Sequence, residues 1–294
     1  MKNFISLING KFKKSISVLD RGLAYGDGFF ETMLWQRFQN QKKNFGVEFW
    51  DKHLKRIKKG CDLMKINIPS ETEFLKQRNK ILDKTIKNGI NSGLLKLIIT
   101  RGVGGRGYRF ENNMKPTLIF LSFEKPQLDQ ENYEKGVTTR ICKAKLSQNQ
   151  NLFGLKHLNR LDSVLARSEW GDDSFEGIFL DLNKNIIEGT MTNVFFVKKN
   201  ILITPPIINS GINGVMRQVV INESTRFFEK IIERAIHIDE AKDFDQMFLT
   251  NSVLKILPVK QFGNNYYSIN KNVIKFINFF KLDKKGYKKR LELV

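Results

Sequence analysis

One lysine stands in a sequence context that could support amine chemistry. Lys156 lies within residues 154–161, after a polar segment at residues 147–151 and before apolar residues at helical spacing. The pattern predicts a junction between a loop and the first turn of a helix, held by buried neighbours. A lysine in such a place can form a Schiff base with a carbonyl compound. An ordinary solvated lysine is the alternative from these residues alone.

Two arginines mark a second segment that could do chemistry. Arg101 and Arg106 lie within the glycine-rich residues 101–108, which have too few side chains to fold by their own packing. The planar guanidinium group matches a carboxylate or a phosphate, so the segment predicts an anion-binding loop. A flexible surface turn explains the composition about as well.

Three further features suggest charged groups at a site. Glu188 lies inside a predicted apolar strand, where a carboxylate needs a partner because burying it alone is costly. Val215 and Met216 follow a glycine at the predicted start of a helix that runs to about Arg234, and free amides at a helix start attract anions. Arg56 flanks a buried helix face, either as a rim residue or reaching into a cleft.

The elements that must position these groups follow from local patterns. Residues 4–18 predict two short strands around the turn-forming Asn9-Gly10 pair. Apolar residues at helical spacing predict one helix over residues 50–64. They predict a second helix that begins with a capping box at residues 70–73 and runs to about residue 88. Residues 177–204 predict a strand meander.

Composition limits the class of protein. The chain has 294 residues and 41% hydrophobic content, enough for one large domain or two moderate ones. The net charge of +20 would suit nucleic-acid binding, but the lysines are scattered along most of the chain, and only residues 281–290 concentrate charge. The distribution therefore argues against a nucleic-acid partner.

Cysteine and histidine usage adds further expectations. The two cysteines, Cys61 and Cys142, lack metal-ligand spacing and are typical of reduced core residues in a cytoplasmic protein. The three histidines are too dispersed to predict a metal site. We find neither a signal-peptide core nor a segment long enough to span a bilayer, so we expect no membrane association.

Three motifs around Lys156 resemble those of the fold-type IV pyridoxal-phosphate enzymes. Residues 20–32 are similar to the DRGxxxGDGxFET motif of that group, residues 188–195 to its EGxxxNxF strand, and residues 214–217 to its GxxR turn. The resemblance implies a mixed α+β fold with a smaller N-terminal α/β domain, residues 1–124. It implies a larger C-terminal domain, residues 125–294, built on a meandering, barrel-like sheet that binds the cofactor.

Within that group, three segments resemble the 4-amino-4-deoxychorismate lyases. Residues 156–161 are similar to their KHLNRL segment, residues 101–108 to RGxGGRGY, and residues 250–259 to TNSxxxxxPV. D-amino acid transaminases instead carry an arginine two residues before a histidine, where this chain has Arg106 and Tyr108. They also tend to have tyrosine at the position of Phe30.

The resemblance assigns a role to each candidate residue. Lys156 would bind pyridoxal 5'-phosphate covalently and act as the base, and the lyase would form 4-aminobenzoate and pyruvate for folate biosynthesis. The acid that protonates the leaving group is open, with Thr32 and Lys156 as candidates. The resemblance also implies a homodimer that acts on a small molecule. The other assigned residues are Glu188 at the pyridine nitrogen; Arg56, Val215, Met216 and Ser252 at the phosphate; and Arg106, with Tyr108, at a substrate carboxylate.

Two other functions are alternatives to the lyase. A D-amino acid or branched-chain aminotransferase would share every cofactor-binding residue, and it would differ by requiring a 2-oxo acid as amino acceptor. A non-enzymatic protein that binds nucleic acid would require no cofactor and would show a steep dependence of affinity on salt.

Overall fold

The structure is a computed structural model that describes residues 4–38, 45–269, 271–282 and 291–292. Most of the basic segment at residues 281–290 therefore lies outside the described residues. The chain divides into two compact units. The first contains Met1–Gln127, Leu155–Asn159 and Lys285–Val294, and the second contains Leu128–Gly154 and Arg160–Lys284. The division at residue 124 stays a prediction, and Lys156 belongs to the first unit.

The secondary structure combines helices and strands throughout. The strands are β1 (Ile5–Ile8), β2 (Lys11–Phe12), β3 (Gly28–Arg37), β4 (Phe45–Glu48), β5 (Ser92–Thr100), β6 (Thr117–Glu124), β7 (Val137–Ile141), β8 (Glu176–Leu180), β9 (Ile186–Gly189), β10 (Asn193–Lys198), β11 (Ile201–Thr204), β12 (Lys230–Glu233), β13 (Gln246–Asn251), β14 (Lys255–Phe262), β15 (Asn265–Tyr266) and β16 (Leu291–Glu292). The helices are α1 (Arg21–Tyr25), α2 (Trp50–Met64), α3 (Glu71–Lys87), α4 (Gln130–Lys135), α5 (Leu161–Arg167), α6 (Val215–Glu223) and α7 (Lys271–Leu282).

The first unit is built on an antiparallel sheet. Its described strands follow the order β16-β4-β3-β5-β6-β1-β2. The turn between β1 and β2 places Asn9 and Gly10 at positive φ, 47° and 72°, as predicted for a tight hairpin. Helices α2 and α3 pack on one face of this sheet, and Ser70 caps α3 by accepting a hydrogen bond from the Glu73 amide.

The second unit is built on a mixed sheet. Its described strands follow the order β12-β11-β10-β13-β14-β7-β8-β9, with β15 added to β14. Strands β8 and β9 form one antiparallel hairpin and β10 and β11 another, but β9 and β10 are not neighbours in the sheet. Residues 177–204 therefore form two hairpins in place of the continuous meander that the sequence predicted. In the core, Phe195 stacks on Phe248, with ring centroids 5.1 Å apart. The mixed α+β architecture predicted from the resemblance is confirmed.

The helix predicted to run to Arg234 is wrong in its second half. Helix α6 ends at Glu223, and β12 follows as a parallel neighbour of β11. Phe228, in the connection between α6 and β12, is buried and contacts Phe276 of α7. The core contact and the edge hydrogen bonds of β11 therefore override the local helical pattern.

The helix predicted to begin directly after Lys156 starts later in the structure. Helix α5 begins at Leu161, and Lys156 lies on an extended segment beside β3. The Phe30 amide donates to the Lys156 carbonyl at 3.0 Å, and the Leu158 amide donates to the Gly28 carbonyl at 3.0 Å. Strand β4 pairs with β3 only at Trp35–Arg37. The segment at Lys156 therefore forms hydrogen bonds with the edge of β3 near its start, at Gly28 and Phe30.

Candidate active site

Lys156 lies against an aromatic ring in the first unit. Its Nζ is 4.5 Å from the centroid of Phe30, on the strand to which its backbone is bonded. The residue is partly buried, and the preceding Leu155 is only 3% exposed. The chain therefore presents this amine from a fixed extended segment. The predicted buried neighbours Leu161, Val164 and Leu165 are instead exposed in the chain.

Arg56 is held by a buried carboxylate on the opposite face of β3. Glu31 is fully buried, and it accepts two hydrogen bonds from Arg56, Nε to Oε1 at 2.7 Å and Nη2 to Oε2 at 2.6 Å. His53 Nδ1 lies 2.6 Å from Glu31 Oε2. Burial alone would raise the pKa of Glu31, but the charges of Arg56 and His53 outweigh it and lower the pKa to about 2. Arg56 is thus fixed in orientation by a bidentate pair.

The two arginines of the glycine-rich loop have different roles. Arg101 is 3% exposed and donates to both carboxylate oxygens of Asp27, at 2.7 Å and 3.0 Å. Its guanidinium also lies 3.7 Å from the Phe110 ring centroid. Arg106, by contrast, is exposed. The sequence pattern predicted an anion-binding role for both arginines. In the structure Arg101 forms a buried ion pair with Asp27, whereas the side chain of Arg106 is exposed to solvent.

Two residues of α1 hold the loop that carries Arg106. Buried Arg21 donates to Asp27 at 2.9 Å, to the Gly107 carbonyl at 2.8 Å and to the Tyr108 carbonyl at 3.3 Å. The Tyr25 hydroxyl accepts a hydrogen bond from the Gly107 amide at 3.0 Å, and its ring lies 5.6 Å from that of Tyr108. The loop is therefore ordered by α1. The sequence analysis missed this function, although both residues lie in the motif at residues 20–32.

Glu188 lies in the second unit, beside the start of α6. It is 4% exposed, and its Oε2 accepts hydrogen bonds from Asn193 Nδ2 at 3.1 Å and from the Ile212 amide at 2.8 Å. Asn193 also packs against Gly214, where an added Cβ would lie 2.2 Å from Asn193 Oδ1. Asn193 thus links the carboxylate to the helix start, a role that the sequence analysis did not assign.

The start of α6 has the features of an anion-binding terminus. Gly214 is the N-cap and no side chain caps the helix, while Val215 and Met216 are 3% and 1% exposed. The positive end of the helix dipole coincides with these first-turn amides. Ser252 lies in the turn between β13 and β14, where its carbonyl accepts a hydrogen bond from Lys255 at 2.6 Å.

The described residues contain neither a metal-binding cluster nor a membrane-spanning helix. Within them, no group of three or more His, Cys, Asp or Glu side chains could hold a metal ion. Nor does any helix in the described ranges combine the length and hydropathy needed to cross a membrane.

Comparison with known proteins identifies the class. The Amino-transferase class IV family matches residues 28–262. The chain is 31% identical to a crystal structure of 4-amino-4-deoxychorismate lyase from Pseudomonas aeruginosa, with a TM-score of 0.84 over 95% of this chain and 99% of that chain. It is 29% identical to aminodeoxychorismate lyase of Vibrio harveyi, over 86% of this chain and 89% of the relative.

A relative with another name is equally similar. A Methanocaldococcus jannaschii protein with a provisional branched-chain-amino-acid aminotransferase name is 30% identical, over 86% of this chain and 85% of that protein. Fold and matches together define a pyridoxal-phosphate enzyme of fold type IV that acts on a small molecule. The chain belongs to the class IV aminotransferase family.

The residues of this chain fit pyridoxal phosphate. A partly buried lysine amine suits the cofactor aldehyde, and a buried carboxylate such as Glu188 suits a protonated ring nitrogen. The start of α6, with its glycine N-cap and no capping side chain, suits a phosphate group.

The first prediction concerns Glu31 and acid stability. Because its pKa falls from 4.5 to about 2 on folding, the folded protein binds fewer protons than the unfolded chain between these values, and stability falls as the pH falls through this window. Wild type should lose about 3 kcal/mol more than Glu31→Gln between about pH 5 and about pH 2. Chemical denaturation measures this difference, and equal losses in the two proteins would contradict it.

The second prediction concerns the hold of Tyr25 on the Arg106 loop. Tyr25→Phe removes the acceptor of the Gly107 amide, worth about 1 kcal/mol, so trypsin should cleave after Arg106 roughly fivefold faster. Tyr266→Phe, at an exposed tyrosine of the second unit, is the matched control and should leave the rate unchanged. A Tyr25→Phe rate equal to that of wild type would show that the Tyr25 hydroxyl does not order the loop.

Proposed function

We propose that the chain is a lyase that converts 4-amino-4-deoxychorismate into 4-aminobenzoate and pyruvate with pyridoxal phosphate. The observation that carries the proposal is the contact of Lys156 with Phe30, 4.5 Å from Nζ to ring centroid. An aromatic ring without a hydroxyl lies beside the amine, at the position where D-amino acid transaminases tend to have tyrosine. The resemblance of residues 101–108 and 156–161 to the lyases supports the same choice.

Lys156 has two tasks in this proposal. Its amine binds the cofactor covalently and, once the substrate amine has displaced it, removes the proton from the amine-bearing carbon. The extended segment fixed to β3 holds Nζ on the face of Phe30 throughout, which restricts the directions from which it can accept the proton. The bound cofactor supplies an electron sink for the resulting carbanion.

Glu188 keeps the cofactor ring protonated in this proposal. Hydrogen bonds from Asn193 and the Ile212 amide orient its carboxylate, and a buried carboxylate is stabilised by a cationic partner. Arg56, the Val215 and Met216 amides and Ser252 hold the phosphate. The pair with Glu31 fixes the Arg56 guanidinium in advance, so little side-chain entropy is lost on binding.

Arg106 binds a substrate carboxylate in this proposal, with Tyr108 beside it. The loop is ordered by Arg21 and Tyr25, which leaves the exposed guanidinium of Arg106 available to an anion. The enolpyruvyl side chain of the substrate leaves to become pyruvate, and the remaining ring is aromatic. Aromatisation therefore supplies much of the driving force. The protein mainly orients the C–H and C–O bonds.

We also propose a homodimer. Leu161, Val164 and Leu165 of α5 are 80%, 64% and 63% exposed, which is a large apolar surface for one short helix. A second copy of the chain would cover it. Both cysteines are free and buried, which supports a reducing cytoplasmic location. The proposed product, 4-aminobenzoate, would place the enzyme in folate biosynthesis.

The third prediction separates the lyase from a transaminase. A lyase needs no amino acceptor, because the amine leaves with the aromatic product. Purified protein with pyridoxal phosphate and 4-amino-4-deoxychorismate should therefore form pyruvate and 4-aminobenzoate in equal amounts without any 2-oxo acid. Chromatography of both products over time measures this ratio. Turnover that starts only after a 2-oxo acid is added would replace the lyase proposal with an aminotransferase.

A further inference from the structure

Lys96 shares a sheet face with the ring that Lys156 contacts. On β5 it is the direct Cα partner of Thr32, and two positions along the ladder Phe30 is paired with Ile98. Because side chains alternate along strands, Phe30, Thr32, Lys96 and Ile98 point to one face of the sheet. Glu31 points to the other, toward α2. Lys96 and Thr32 therefore lie side by side on the Phe30 face.

Two amines lie against the Phe30 ring. Lys96 Nζ is 5.0 Å from the ring centroid and Lys156 Nζ is 4.5 Å from it. Their separation cannot exceed the sum of these two distances. Lys96 is therefore close enough to contact a substrate whose reacting carbon is at Lys156.

The partly buried environment of Lys96 disfavours the positive charge of its amine. The residue is partly buried, and this burial lowers the pKa of its amine. Among the described residues, no carboxylate forms an ion pair with Lys96, whereas exposed Lys58 and Lys135 pair with Glu71 and Glu131. A partly buried ammonium group is stabilised by an anion that accepts its hydrogen bonds.

The proposed substrate offers two carboxylates at different distances from the reacting carbon. Its amine-bearing carbon adjoins the carbon that carries the enolpyruvyl ether, so the carboxylate of the leaving group lies near the site of proton removal. The ring carboxylate lies across the ring. A cationic side chain close to Lys156 is therefore suited to bind the carboxylate of the leaving group, and one farther away is suited to bind the ring carboxylate.

We propose that Lys96 binds the carboxylate of the enolpyruvyl leaving group, while Arg106 binds the ring carboxylate. This inference rests on the proposed function and narrows it, because the substrate must be an amine with two carboxylates, one of them in the group that departs. The ion pair fixes the orientation of the C–O bond that breaks. The same ion pair persists when the leaving group becomes pyruvate, so Lys96 holds this product as well.

Steady-state kinetics of charge variants provide the first test. Lys96→Met keeps an unbranched side chain one atom shorter and removes its charge, and it should raise KM for 4-amino-4-deoxychorismate about 10- to 100-fold. Lys96→Arg should recover much of this loss. Lys14→Met is the matched control, because Lys14 is an exposed lysine whose Nζ lies 5.6 Å from the Phe4 ring centroid, and its KM should not change.

Product binding provides a second test that does not depend on turnover. Each product carries one of the two carboxylates, so calorimetry of the cofactor-loaded protein can probe the anchors separately. Lys96→Met should weaken pyruvate binding about tenfold or more and leave 4-aminobenzoate affinity unchanged. Arg106→Ala should do the reverse. A variant that merely damaged the fold would weaken both ligands together.

The outcomes distinguish this inference from the proposed function. If wild type releases pyruvate without an acceptor, but Lys96→Met and Lys96→Gln both keep the wild-type KM and pyruvate affinity, the inference is wrong and the lyase stands. Equal weakening of both products in Lys96→Met would also overturn it. If wild type requires a 2-oxo acid acceptor, the proposed function itself fails, and the assignment of Lys96 fails with it.

Discussion

The rest of the site depends on two backbone hydrogen bonds that join the segment at Lys156 to β3. The Phe30 amide donates to the Lys156 carbonyl, and the Leu158 amide donates to the Gly28 carbonyl, both at 3.0 Å. These bonds satisfy a strand edge that would otherwise need another partner. They also place the lysine amine on the Phe30 ring. A segment distant in sequence is thereby attached to the sheet of the first unit.

The alternation of side chains along β3 places the Glu31 ion pairs and the two lysine amines on opposite faces of the sheet. Glu31 faces α2, where it is fully buried and holds Arg56 and His53. Phe30 faces the other way, toward the amines of Lys156 and Lys96. A shift of one residue in the register of β3 would exchange these two faces. The antiparallel pairing of β3 with β5 from Gly28 to Gln36 prevents such a shift.

Elements that depend on neighbouring residues were predicted correctly more often than elements that depend on contacts distant in sequence. The Asn9-Gly10 turn, the helix at Trp50–Met64 and the two hairpins within residues 177–204 follow from neighbouring residues. Strand β12 and the extended segment at Lys156 were mispredicted, because each depends on hydrogen bonds to a strand far away in sequence. For the same reason the sequence could not tell buried Arg101 from exposed Arg106. The roles assigned to Lys156, Glu188 and Arg56 came from the family resemblance and remain to be tested.

The most direct test of the account is to locate the cofactor on the chain. Borohydride reduction should convert the bond between the lysine amine and pyridoxal phosphate into a stable one, and mass spectrometry of a digest identifies the modified residue. We expect the modification on Lys156 and none on Lys96, although both amines lie against Phe30. Modification of Lys96 or of any other lysine, or a Lys156→Ala protein that is still modified, would contradict the account.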